Sequence, residues 1–211
     1  MSAAARTCAP NAGVASSNRQ RSNASMRVQA LECYSAEEML VLTSAVDEAL
    51  GASNWYAALI TALTLPDIAG RIDDPVARSR ARYERWVESH LSPGYTLFVG
   101  PSRTPRKLLS GGDCYALRCK FLHEGSHDTS TAPAKDILEG FQFLAPRAEM
   151  PGLQIHRNHV GTKLQLQVDL FCRDICAAVH TWLAGIPDSD TARRERLVNL
   201  ATIQTCGPIL I

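Results

Sequence analysis

The chain has 211 residues, of which 45% are hydrophobic and 20% are charged, and its formal net charge at pH 7 is +1. This composition is typical of one folded domain with a substantial core, and it excludes a largely disordered or collagen-like chain. Because the charges nearly balance, no overall field directs the protein to nucleic acid or to a membrane, so any RNA contact has to come from a local patch.

The first 31 residues contain no Asp or Glu and are rich in Ala, Ser and Asn. They predict a disordered Arg/Ser/Ala-rich tail over residues 1–33 that lacks the apolar segment of a secretory signal. The ordered pattern begins soon after Met26, so the sequence leaves the start of translation open between Met1 and Met26. Residues 34–211 are predicted to form a single domain. The sequence has no apolar run of about 18 residues and no CxxC pair among its seven cysteines, so we expect buried thiols in a cytoplasmic protein without a membrane span.

Two helices are predicted near the start of this domain. Ser35 and Glu38 form a capping box in front of an apolar stripe, which predicts the first helix. Ser53 or Asn54 can cap the second helix, which is apolar nearly all round and is therefore expected at the centre of the core. Pro66 is predicted to end it, because the residue before a proline is disfavoured in the α conformation.

The next segment is predicted to contain a turn, a helix and a loop. Asp67 is free to cap a short turn to Gly70, and Asp73–Pro75 predicts the start of a third helix. Ser92–Gly94 stops this helix, and residues 95–109 are predicted to form a loop. The loop carries a modest basic patch that suits RNA phosphates and is equally typical of a solvated surface: Arg103, Arg106 and Lys107.

The second half of the domain changes pattern. Residues 126–133 are polar and predict a loop, and an antiparallel hairpin or small sheet is predicted as an insertion at about 138–168. Its strands are expected at 140–145, 153–160 and 163–168. Asp169 is predicted to open a strong helix that ends at Gly185, and residues 192–202 predict a final helix. The fold class is therefore mostly α with a small β insertion.

The segment that most suggests a functional site is a predicted helix from Ser110 to Glu124, which ends at Gly125. It carries Arg118 and, in its last turn, His123. An arginine can clamp a phosphate with two parallel hydrogen bonds, and a histidine can move the proton of a ribose 2′-hydroxyl. The carboxyl end of a helix also favours an imidazolium cation. Such RNA cleavage requires neither a metal nor another cofactor.

Spacing alone leaves two interpretations open. On a straight helix Arg118 and His123 lie about 140° apart, so they meet more easily across a dimer seam than within one chain. The pair Arg85 and His90 has the same spacing on the third predicted helix. An ordinary packed helix with an exposed arginine and a capping histidine is the alternative.

The segment Asp113–Gly125 resembles the signature helix of HEPN-type proteins, and it is especially similar to a bacterial group whose helix reads YxLRCxLLHxG. Leu65–Gly70 and Arg82–Trp86 also resemble that group, so the similarity covers roughly residues 36–184. The resemblance implies a helical bundle, often a homodimer in which two motif helices face each other. It also implies metal-independent RNA cleavage, often in toxin or phage-defence systems.

Carried over by this resemblance, Arg118 would contact the phosphate and His123 would be the catalytic histidine. Cys119 follows the arginine, where active members commonly carry Asn, Asp or His. A non-catalytic HEPN-like module for dimerisation or another interaction therefore stays open. The sequence identifies neither an RNA target nor a partner antitoxin.

Four further residues are candidates to support the site. Asp67 and Asp113 are placed to assist it, although helix N-capping is the simpler role for each. Tyr115 lies one turn before Arg118 and either lines the cleft or packs. Glu124 either orients the neighbouring histidine or is solvated.

The histidines do not predict a metal site. His123 and His127 are four residues apart, but Gly125 interrupts the helix that would align them. His156 and His159 are three apart on a predicted strand, which places them on opposite faces. The sequence thus predicts neither a metal nor another cofactor.

Overall fold

The computed structural model describes residues 37–147, 149–150, 152–201 and 203. In these segments the chain forms six α-helices, one 3₁₀-helix and five short strands. The helices are α1 Glu37–Gly51, α2 Trp55–Asp73, α3 Ser79–His90, α4 Gly111–Glu124, α5 Val168–Ala184 and α6 Thr191–Val198, with the 3₁₀-helix at Ser92–Tyr95. The strands are β1 Thr96–Val99, β2 Thr104–Lys107, β3 Gly140–Leu144, β4 Asn158–Val160 and β5 Lys163–Gln167. The prediction of a mostly α protein is confirmed.

Helix α2 lies at the centre of the core, as its apolar sequence predicts. It packs against α1, α3 and α5, and nine of its nineteen residues are buried. Asn54 is its N-cap, because the side chain accepts a hydrogen bond from the amide of Ala57 at 3.2 Å. The predicted cap of α1, Ser35, and the predicted tail over 1–33 lie outside the described residues.

The prediction that Pro66 ends this helix is wrong, because α2 continues through it to Asp73. A proline inside a helix removes one backbone hydrogen bond. Here the residues around it, Leu65, Ala69 and Ile72, are almost completely buried, so packing stabilises the helical continuation. Asp67 therefore lies inside α2 and caps no turn.

The predicted start of the third helix is also wrong. Asp74 follows the end of α2, and its carboxylate accepts a hydrogen bond from the amide of Ala77 at 3.1 Å. An Asp-Pro sequence serves a turn as well as a helix start, and here it forms the connection to α3, which begins at Ser79. The prediction that Ser92–Gly94 stops this helix is confirmed, since α3 ends at His90 and the 3₁₀-helix follows.

The predicted loop over 95–109 is instead a two-stranded hairpin, in which Thr96 pairs with Lys107 and Val99 with Thr104. The hairpin is highly exposed, so its strands have no buried face that would leave an alternating pattern in the sequence. Gly100 and Arg103 adopt positive φ angles of 72° and 48° where the chain reverses.

The second sheet has the order β3-β5-β4 and is mixed, so the prediction of an antiparallel sheet holds only in part. β4 and β5 are antiparallel across a turn at Gly161–Thr162. β3 pairs with β5 in the parallel direction, from Gly140 with Lys163 to Leu144 with Gln167. A long connection between β3 and β4 gives the chain room to return on the far side of β5.

The last two helices differ slightly from prediction. α5 begins at Val168, one residue before the predicted start at Asp169, and Gln167 is its N-cap. Its C-cap is Gly185, where the sequence predicts the end of the helix. α6 is shorter than predicted, ending at Val198. Among the described residues, no helix combines the length and apolar character needed to cross a bilayer.

Candidate functional site

Helix α4 has the boundaries that the sequence predicts. Ser110 is its N-cap, because Oγ accepts a hydrogen bond from the amide of Asp113 at 3.0 Å. Gly125 ends the helix in the left-handed conformation with φ of 63°, and the amides of Gly125 and Ser126 donate to Phe121 and Lys120. Local sequence signals therefore determine both ends of the helix that carries Arg118 and His123.

Asp113 is completely buried and holds a distant loop. Its Oδ1 accepts hydrogen bonds from the backbone amides of Asp136, Ile137 and Leu138, each at 2.9 Å. The prediction that Asp113 is an N-cap is wrong, since Ser110 fills that position. Asp113 instead joins the start of α4 to the segment that leads into β3.

Arg118 forms an ion pair with Asp67, in which Nη2 lies 3.0 Å from Oδ2. The two side chains are only 18% and 17% exposed. Asp67 also accepts hydrogen bonds at 3.2 Å from Nε of Arg82 and from Oγ of Ser79. One carboxylate on α2 therefore links α3 to α4 and holds the Arg118 guanidinium in place. The two residues are 51 positions apart, so no local pattern predicts their pairing.

His123 is exposed in the last turn of α4. In the described part of the chain it forms no hydrogen bond, ion pair or ring contact, and its imidazole is open to solvent. Glu124, a candidate to orient this imidazole, instead pairs with Lys120 at 2.8 Å. Nothing in the described structure therefore fixes the imidazole in one orientation.

The structure does not bring Arg118 and His123 to a common partner within one chain. The helical rotation places them about 140° apart, on either side of a stripe formed by Tyr115, Cys119 and Leu122. All three residues of this outward stripe are partly exposed, whereas the buried residues of α4 all lie in its first half, between Gly111 and Leu117. The outward stripe, flanked by Arg118 and His123, is thus a partly exposed surface of α4.

Tyr115, the aromatic residue of the outward stripe, packs its ring edge to face with Tyr83 at a centroid distance of 5.5 Å. Partial burial and a hydrogen bond with Cys119 raise the pKa of the Tyr115 phenol. The phenol is therefore neutral near pH 7. It is suited to hydrogen bonding rather than to electrostatic stabilisation of a phosphate.

An aromatic groove of about 510 Å³ opens beside the carboxyl end of α4. Its rings come from α2, α4 and β3: Trp55, Tyr56, Phe121, Phe141 and Phe143. Tyr56 is 74% exposed and stacks on Phe121 with a centroid distance of 6.3 Å. Gly125 and His127 also line the groove, so it reaches the segment that directly follows His123.

The pair with the same spacing, Arg85 and His90, occupies different surroundings on α3. Arg85 is exposed and pairs with Asp74 at 2.7 Å. His90 packs against Trp86 at a centroid distance of 5.0 Å, and partial burial lowers its pKa. These two residues provide a matched comparison for Arg118 and His123.

Sequence reasoning missed a second polar cluster on the other side of the core. Asp174 accepts hydrogen bonds from Tyr95 at 2.7 Å, from Arg157 at 2.8 Å and from His156 at 3.0 Å. Burial opposes ionisation of Asp174, but these three hydrogen bonds outweigh it and lower the pKa of the carboxyl. Arg157, which has a positive φ of 57°, also lies over the ring of Tyr95 at 4.6 Å.

This second cluster joins segments up to 79 residues apart, and no spacing in the sequence links them. One signal was present, because Asp174 interrupts the apolar face of α5 and a charge on such a face requires partners. None of the described cavities is lined by any of its four residues. We therefore interpret the cluster as structural.

The described histidines and cysteines are dispersed. No three His, Cys, Asp or Glu side chains within the described ranges gather closely enough to hold a metal ion. Three cysteines are buried, as expected, and burial raises the pKa of each thiol to about 12: Cys114, Cys172 and Cys176. Cys119 is partly exposed on α4.

Comparison of the chain with protein-family models, with curated proteins and with solved structures found no match. The residues of the site are therefore the basis for its proposed function.

Proposed function

We propose that this protein is a metal-independent RNA endonuclease of HEPN type that acts as a homodimer in the cytoplasm, in a toxin or defence role. The observation that carries the proposal is the solvent-facing side of α4. There an open His123 imidazole and an Arg118 guanidinium held by Asp67 flank the outward stripe. Nε of Arg118 is buried and has no hydrogen-bond partner among the described residues, so a contact with phosphate has to come from the Nη atoms.

The site requires two copies of α4. Because Arg118 and His123 lie on opposite sides of the outward stripe, one chain does not offer both to the same phosphate. When two copies pack in parallel through Tyr115, Cys119 and Leu122, a two-fold axis that runs along the seam sets Arg118 of each copy beside His123 of the other. The partly apolar stripe between them is suited to such a contact.

The proposed chemistry is transesterification within the RNA strand. His123 takes the proton of a ribose 2′-hydroxyl, and the 2′-oxygen attacks the adjacent phosphorus. The bond from phosphorus to the 5′-oxygen breaks, and this oxygen takes the proton that His123 has accepted from the 2′-hydroxyl. Arg118 stabilises the charge that develops on the phosphate oxygens. The products are a 2′,3′-cyclic phosphate and a 5′-hydroxyl end.

The aromatic groove supports unpaired RNA as the substrate. Exposed rings stack on nucleobases that are free of a duplex, and Tyr56 offers such a ring at the groove edge. Since the groove reaches Gly125, a base bound there would lie beside the helix end that carries His123. A duplex would not expose its bases to this surface.

The test is cleavage of labelled single-stranded RNA in the presence of EDTA by the wild type and by Arg118→Ala and His123→Ala. Each variant is expected to lose at least about 100-fold in rate, the range for loss of a general acid–base group or a charge-stabilising donor. Arg85→Ala and His90→Ala are matched controls with the same spacing and should keep wild-type activity. The proposal would be rejected if the wild type cleaved no RNA in the presence of EDTA. It would also be rejected if only the control variants lost cleavage activity.

Arg118→Lys separates catalysis from folding. A lysine can retain the ion pair with Asp67 but cannot hold a phosphate with two parallel hydrogen bonds. The variant should therefore keep its thermal stability and lose most of its cleavage activity. Analysis of the products for a terminal 2′,3′-cyclic phosphate tests the chemistry independently.

A non-catalytic dimerisation module is the second candidate. It is favoured by the partly buried Arg118–Asp67 pair, which gives Arg118 a structural role without RNA, and by Cys119 beside it. For such a module we expect no cleavage by the wild type. We also expect loss of the dimer, measured by light scattering, when Leu122→Asp places a charge on the outward stripe.

A further inference from the structure

A cavity of about 500 Å³ lies between the carboxyl-terminal half of α2, the start of α3 and helix α6. Three arginines from these three helices line it: Arg71, Arg82 and Arg196. Asp67 is the carboxylate among its lining residues. Because Asp67 is already bound by Arg82 and Arg118, the cavity has an excess of positive charge.

Backbone contacts hold the arginine side chains in position. Nε of Arg196 donates to the carbonyl of Ile72 at 2.7 Å, and Nη1 of Arg71 donates to the carbonyl of Pro75. The remaining N–H groups of these two guanidinium groups have no partner in the described part of the chain. Fixed guanidinium groups with unused donors are the usual recognition element for a phosphate.

The rest of the wall is largely apolar. Ile68 lies on α2, Pro75 in the turn that follows α2, and Leu200 after the end of α6. An inorganic anion would contact the arginines and leave this apolar wall uncovered. A cavity of this volume is in the range that holds a small organic ligand rather than a single ion.

We propose that this cavity binds a nucleoside monophosphate, with its phosphate on Arg71 and Arg196 and its base against the apolar wall. The proposal goes beyond RNA cleavage and does not depend on it, because neither Arg118 nor His123 lines the cavity. The ligand is recognised by two chemically different parts, a dianionic phosphate and a flat apolar base.

Isothermal titration of the full chain with seven ligands tests this assignment. The ligands are the four ribonucleoside monophosphates, adenosine, inorganic phosphate and glucose 6-phosphate. At least one nucleotide is expected to bind with a Kd below about 1 mM, while phosphate and glucose 6-phosphate bind at least about tenfold more weakly and adenosine does not bind measurably. Nucleotides that bind no better than inorganic phosphate, or that do not bind, would overturn the proposal.

Variants locate the binding site. Arg196→Gln and Arg71→Gln should each weaken nucleotide binding by about tenfold or more, since each removes a charge-assisted contact to phosphate. Arg80→Gln is the matched control, because Arg80 lies on α3 but pairs with Glu84 outside the cavity. Arg71 is exposed, so its variant is expected to fold even if Arg196→Gln does not. Unchanged affinity in Arg71→Gln would reject this cavity as the site.

His123→Ala separates this proposal from the endonuclease. The variant should lose RNA cleavage and bind the nucleotide with wild-type affinity. An inactive wild-type protein that binds a nucleotide would reject the endonuclease alone, and an active protein that binds no nucleotide would reject the cavity alone.

Discussion

Replacement of Asp113 by alanine tests how much the hydrogen bonds of this buried side chain on α4 contribute to the stability of the fold. The wild-type carboxylate accepts three backbone hydrogen bonds at 2.9 Å, and its side chain has no exposed surface. Alanine removes the acceptor and leaves the three amides without their partner. The segment they belong to leads into β3, which forms one wall of the aromatic groove.

The expected loss of stability follows from where these amides lie. The hydrogen bond to Leu138 is buried, and an unpaired buried donor costs about 1–3 kcal/mol. Asp136 and Ile137 are exposed residues, so water can replace the carboxylate at their amides and each loss costs about 0.5–1 kcal/mol. The sum is about 2–5 kcal/mol, a large part of the 5–15 kcal/mol that stabilises a typical domain.

Urea unfolding followed by far-ultraviolet circular dichroism measures this loss as a lower midpoint with an unchanged slope. Asp113→Asn keeps one acceptor oxygen and should lose about half as much. Asp128→Ala removes an exposed aspartate that accepts a single backbone hydrogen bond and should leave the midpoint almost unchanged. A loss of less than about 1 kcal/mol in Asp113→Ala would refute the role of this carboxylate as an anchor.

Three further predictions follow from packing and ionisation. Gly111→Ala should destabilise the fold by about 1–3 kcal/mol in urea unfolding, because a Cβ there would lie 2.5 Å from a backbone oxygen of α3. In the control Gly51→Ala the new Cβ meets no atom within 4 Å, so the stability should not change. Equal losses of stability in the two variants would contradict this prediction. The lowered pKa of Asp174 means that its contribution to stability is complete above its unfolded pKa of about 3.8 and is lost as the pH falls through the lower folded value. The melting temperature of the wild type should therefore fall more steeply below pH 4 than that of Asp174→Asn, and parallel curves would exclude this contribution. Iodoacetamide should label Cys119 before Cys114 under native conditions, since burial raises the pKa of Cys114 to about 12. Mass spectrometry measures the order of labelling, and the reverse order would show that α4 packs differently.

Local signals in the sequence determined the helix that carries the candidate site. The hydroxyl of Ser110 and the left-handed Gly125 act on their own neighbours along the chain, so both ends of α4 could be predicted from residue types. The same holds for the apolar character that places α2 in the core. The proposed roles of Arg118 and His123 likewise come from their types and spacing on α4, and they stay predictions.

Tertiary structure decided where the polar side chains find their partners. Asp67 meets Arg118 only because α2 continues through Pro66, and that continuation depends on burial rather than on the local preference of proline. Asp174 and the cavity lined by Arg196 likewise join segments far apart in the chain. A short-range sequence pattern reflects interactions between residues that are close along the chain. These contacts depend instead on how whole helices pack against each other, which is seen only in the folded structure.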